Sequence, residues 1–127
     1  MALPSEHLFD KAGADALLPM LVELIHGLQD AVESDAAAEG REHLAHAGRS
    51  NGSPEAAVSV FEAAAEVQAM LDEIDEMGVI LRDIRTGLCD FPAVRGDRPV
   101  YLCWRLGESE VGWWHPRDTG VAGRAPL

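Results

Sequence analysis

The change of hydrophobic period at Gly78 constrains this chain more than any other feature. Before it, apolar residues recur every three or four positions. After it they alternate. A helical side chain returns to the same face after 3.6 residues and a strand side chain after two, so the two halves need different secondary structure. Leu17, Leu21, Leu24, Ile25, Leu28 and Val32 form the first helical stripe, and Val60, Ala64, Val67, Leu71 and Ile74 the second. With 127 residues, of which 47% are hydrophobic, there is material for one domain with a real core.

The boundaries follow from local chemistry. Asp10 is a good N-cap with Phe9 just outside it, so the first helix is predicted over 10–38, with Pro19 kinking or restarting it. Residues 39–52 carry Gly40, Gly48 and Arg49-Ser50-Asn51-Gly52 and read as a loop. Ser53-Pro54-Glu55 opens a second helix, predicted over 53–78, and Gly78 stops it. In the remaining segment, 79–127, Val79 to Ile84 reads as a strand, Thr86-Gly87 as a turn and Gly96-Asp97 as a hairpin turn. From Pro99 to Leu106 the alternation places Val100, Leu102, Trp104 and Leu106 on one face. A three-residue loop, Gly107-Glu108-Ser109, leads to a last strand at 110–115 and pairs Leu106 with Glu110. In that register Leu102 faces Trp114, and Tyr101, Cys103, Arg105, Trp113 and His115 share the opposite face. The expected fold is α+β: a long antiparallel helical hairpin packed on a small C-terminal antiparallel sheet, in one domain over 1–127.

The formal charge of −12 disfavours some function classes. Nucleic-acid binding and docking on anionic lipid rest on clustered Lys and Arg, and the chain has 10 of these, all arginine but Lys11, against 22 Asp and Glu. No apolar run reaches the length of a membrane helix, and the first residues lack a basic segment followed by an apolar one. The expectation is a cytoplasmic protein without nucleic-acid or membrane partners, in which Cys89 and Cys103 are thiols. A helical hairpin leaves apolar surface that a second copy can cover, so a homodimer is expected.

The segments GLCDFP, YLCWRLGE, the pair Trp114-His115 and the closing GVAGRAPL, all within 78–127, resemble the prokaryotic domain-of-unknown-function family 2203. FDKAGADALLP resembles the family's opening, with Ala12 and Gly13 in place of its acids, so the first turn lacks a capping box. Cys89 stands where an aliphatic residue is more usual. The resemblance implies that the C-terminal half carries the function, and it implies no activity.

Within that half, Cys103 and His115 with Asp90, Glu108 or Asp118 make a thiolate, imidazole and carboxylate set that suits a divalent metal, zinc or iron. The same Cys and His could form a nucleophilic pair. The bland alternative is a buried structural cysteine and a histidine capping an aromatic cluster. Tyr101 and Trp113 can line a ligand pocket, with Arg105 and Arg124 to hold an anionic group. Ion pairing of those arginines with Asp83, Asp90 or Asp118 is the competing role. Glu39, His43 and His46 could also bind a metal, but lie in the glycine-punctuated stretch and are read as a solvated connector. Two functions follow as expectations: a small domain holding a metal or small ligand on the Cys103/His115 face, with or without catalysis, or a non-catalytic homodimeric adaptor meeting proteins through a Trp-rich face.

Overall fold

The structure is a computed structural model that describes residues 6–46 and 54–127, with side chains for 6–34 and 59–127. Helices α1 (Lys11–His46) and α2 (Pro54–Glu76) precede strands β1 (Ile80–Asp83), β2 (Leu88–Arg95), β3 (Arg98–Trp104), β4 (Trp113–Pro116) and β5 (Ala125–Pro126), with a short 3₁₀ turn at Val121–Gly123. The strands form one antiparallel sheet in the order β1-β2-β3-β4-β5. The fold is α+β, with the period change at Gly78 as its dividing line.

Asp10 caps α1 by accepting a hydrogen bond from the Gly13 N–H at 2.7 Å, so the cap holds without a reciprocal acid. Phe9 is buried, donates its N–H to the Pro92 carbonyl at 2.7 Å and packs edge-on to Phe91. It therefore fastens the start of the helix to β2. Helix α1 continues through Pro19 without restarting and runs to His46 rather than stopping at 38. Its later part is rich in Ala and Glu and has no proline, and one glycine costs only about 1 kcal/mol. The cap expected at Ser53 and the side chains of Glu39, His43 and His46 lie outside what the structure describes. Helix α2 is continuous to Glu76 and closes with Gly78 at φ 84° and the Val79 N–H on the Ile74 carbonyl, a left-handed glycine cap.

Leu21, Ile25 and Leu28 of α1 and Ile74 of α2 are buried in one cluster with Cys89, Phe91, Ala93, Val100, Leu102, Trp104 and Val111 of the sheet half. Both helical stripes are covered near the sheet and open away from it, where Val32, Val60 and Phe61 are exposed. Gln29 donates to the Ile84 and Arg85 carbonyls at 3.0 and 3.1 Å, tying α1 to the β1–β2 turn.

The β3–β4 register is the one read from the alternation: Leu102 pairs with Trp114, Tyr101 with His115 and Cys103 with Trp113. The loop between them is longer than expected, because β3 ends at Trp104 and β4 starts at Trp113. Leu106 and Glu110 do not pair. The loop's polar groups find partners elsewhere: Leu106 N–H on Gly87 O, Val111 N–H on the Asp15 carboxylate, and Trp104 Nε1–H on Glu108 O. Strand β5, absent from the sequence reading, pairs Pro126 with Trp113 and Ala125 with Trp114.

Candidate metal centre

Side chains alternate across a sheet, so the residues paired with Cys103 share its face. Asp90 of β2 pairs with Cys103, which pairs with Trp113 of β4. Tyr101 pairs with His115 on the same face, and Arg82 reaches it from β1. This face is turned away from the Val100–Leu102–Trp104 core, yet at its centre Asp90, Cys103 and His115 are 3%, 0% and 1% exposed. One ligand atom from each of the three lies within 4.8 Å of the others.

The hydrogen bonds of His115 are specific. Nδ1 faces the Pro116 carbonyl at 2.7 Å and Nε2 faces Asp90 Oδ1 at 3.0 Å. A carbonyl only accepts, so Nδ1 carries a proton. A neutral imidazole has one donor and one lone pair, which leaves the Nε2 lone pair pointing at a carboxylate. A second proton or a cation must lie between them. Arg82 Nε donates to the other Asp90 oxygen at 2.9 Å and holds the carboxylate in place, a bond that raises the Arg82 pKa.

The third member is softer. Burial pushes the Cys103 thiol up, and the Arg124 guanidinium, 3.8 Å from the sulfur, offsets part of that rise. His115 is directed at Asp90, so no Cys103–His115 nucleophilic pair is formed. Cys89 points into the core, where burial drives its thiol to about 12.

The other candidates fall into place around this group. Glu108 stands outside it: Arg124 holds its carboxylate at 2.6 and 3.3 Å, and the Arg105 N–H donates to it at 2.7 Å. Burial would raise the Glu108 carboxyl, but these hydrogen bonds outweigh it and hold it below its ordinary value. Arg124 also lies 4.4 Å over the Trp113 ring. That arginine thus has a structural partner, Glu108, which is none of the acids expected for it. Arg105 is exposed and Asp118 is exposed. Tyr101 is half-buried beside His115 and carries two guanidinium groups on its ring, Arg82 at 5.2 Å and Arg117 at 4.6 Å. Arg82 and Arg117 were not legible as site residues. Strand parity would have found Arg82 had β1 been registered against β2, whereas Arg117 follows the last strand and has no periodic signal.

The closing motif has a structural account. Gly120 sits at φ 65°, and a Cβ on Gly123 would meet the Thr119 hydroxyl at 2.6 Å. These two glycines let the tail turn back, so that Arg124 reaches Glu108 and β5 joins β4.

No helix among the described residues is long and apolar enough to cross a membrane. No curated protein and no solved structure matches the chain. A family model described as "Uncharacterized conserved protein (DUF2203)" matches residues 7–127. That span takes in the cap at Asp10, the buried Asp–Cys–His group and the returning tail, and the chain belongs to this family.

Proposed function

We propose that this protein is a small metal-binding domain in which Asp90, Cys103 and His115 hold one divalent ion, with zinc the best chemical fit. The observation that carries the reading is His115, buried with both ring nitrogens facing oxygen acceptors. A metal-bound histidine commonly donates its other N–H to a carbonyl or carboxylate, as Nδ1 does to Pro116. An ion at Nε2 would remove the conflict between the lone pair and Asp90. A bare imidazolium would remove it too, but would not account for a third donor atom, the Cys103 sulfur, within 4.8 Å of both.

Nitrogen, sulfur and carboxylate oxygen together suit zinc, which binds them at about 2.0–2.3 Å. Ligand atoms around such an ion lie about 3–4 Å apart, and here Nε2 and Oδ1 are 3.0 Å apart with the sulfur within 4.8 Å of both. Loading would deprotonate Cys103, because a bound cation favours the thiolate that burial disfavours. Three protein ligands leave a fourth position open for water or another ligand, the arrangement of reactive rather than structural zinc sites.

The alternative, an adaptor with a Trp-rich contact face, draws no support from the tryptophans. Trp104 is buried, Trp113 lies under Arg124, and Trp114 packs on the core beneath Arg95.

The test is metal stoichiometry. Protein stripped with chelator and reloaded with zinc should retain one ion per chain after gel filtration, by plasma mass spectrometry. Cys103→Ser and His115→Ala should each lose it, while Glu108→Gln keeps it. Wild-type protein that retains no zinc, or a Cys103→Ser variant that retains as much, would overturn the reading.

A further inference from the structure

A recess of about 340 Å³ opens beside the buried group, lined by Arg82, Leu88, Asp90, His115, Arg117, Gly120 and Val121. Its volume lies at the small end of ligand sites. Resting on the metal reading above, we infer that this recess binds a small organic carboxylate, whose charged end lies between Arg82 and Arg117 and faces the open position of the ion.

Three observations carry this. First, a loaded site would be locally positive in a chain of net charge −12. A divalent ion would be balanced by the Cys103 thiolate and the Asp90 carboxylate, and Arg117 is balanced by Glu6, bound at 3.0 and 2.5 Å. The charge of Arg82 is then left over. Second, the two arginines that line the recess keep donors for an oxyanion. Arg82 spends Nε on Asp90, which keeps the outer edge of its fork for a ligand. Arg117 spends its two terminal nitrogens on Glu6, and its buried Nε has no hydrogen-bond partner among the described residues. A buried donor of this kind needs an acceptor. Both guanidinium groups also rest on the Tyr101 ring, which restrains them. Third, Leu88 and Val121 give the recess an apolar wall. A free phosphate would leave that wall in contact with water, whereas a carboxylate with a short carbon body covers it.

The experiment uses the full chain, first loaded with zinc and its zinc content measured. Butyrate is then titrated while amide resonances are followed by NMR, with butyramide and inorganic phosphate as controls. Butyrate should shift the Gly120, Val121 and His115 amides, and butyramide should not. Arg117→Gln should weaken butyrate binding about tenfold with zinc content unchanged, and Arg82→Lys, which keeps the charge but loses the fork, should weaken it as much per zinc-loaded chain. Zinc-loaded protein that binds butyrate no better than butyramide would overturn this inference alone, as would tighter binding of phosphate. Failure to take up zinc at all would overturn the metal reading and this inference together.

Discussion

His115 and Asp90 meet over the top of β3: their strands, β4 and β2, flank it, and their side chains close to 3.0 Å on the face away from the core. The pair is nearly free of solvent, so each residue's state depends on the other.

In metal-free protein, His115→Ala should cost about 2–5 kcal/mol, because it removes a buried ring and opens a cavity beside Asp90. Asp90→Asn should cost clearly less, since its amide can donate to Nε2 while its oxygen still accepts from Arg82. Urea denaturation of both variants measures this. Equal losses would show that the Nε2 lone pair is not what Asp90 faces.

Two glycines with similar backbones should respond differently to alanine. Gly87 is at φ 66° and a Cβ there would meet Leu106 Cβ at 2.5 Å, whereas Gly96, at φ 64°, has nothing within 4 Å. Gly96→Ala should cost about 1–2 kcal/mol from the left-handed backbone alone. Gly87→Ala adds a steric overlap and should cost about 2–5 kcal/mol in total. Thermal denaturation would separate them, and matching losses would mean that the contact between this turn and Leu106 yields easily.

Alkaline pH should expose the burial of Cys89. Its folded pKa, about 12, is above the ordinary thiol value of 9.0. The folded state therefore holds the proton after the unfolded chain has released it. The stability this represents is complete below pH 9 and is lost between pH 9 and 12, with a slope approaching about 1.4 kcal/mol per pH unit. Cys89→Ala should flatten the decline between pH 9 and 10 relative to wild type. Parallel curves would place the alkaline transition in other groups.

Acid should act on Asp15. Burial would raise its carboxyl, but the Lys11 ammonium and the Val111 N–H, each at 2.7 Å, outweigh that and hold it below 3.8. A depressed folded pKa means that the unfolded chain takes up the proton first. The contribution is present above the ordinary value and is lost as pH falls through the folded one. Asp15→Asn should lower stability by about 1–2 kcal/mol at pH 7 and flatten the acid limb. Unfolding curves from pH 6 to 2.5 test this, and an unchanged acid limb would count against it.

The sequence alone determined the division at Gly78, the cap at Asp10, the turns at Thr86-Gly87 and Gly96-Asp97, and the β3–β4 register. Each of these is local. A period, a cap or a turn is specified by neighbours in the chain, and a register by which residues must face a core. That register was enough to put Cys103 and His115 on one face. It could not show that this face is itself buried, because the tail that returns to pair with β4 is held by Arg124 on Glu108, a contact with no periodic signature. For the same reason Glu108 could be named as a metal ligand from composition, while its actual partners came only with the loop geometry. The pairing of Asp90 with Arg82, the double acceptor environment of His115 and the recess beside them are products of three strands and a tail meeting at one point. Alternation fixes which way a side chain points, and only tertiary packing decides which other side chain, or which water, it finds there.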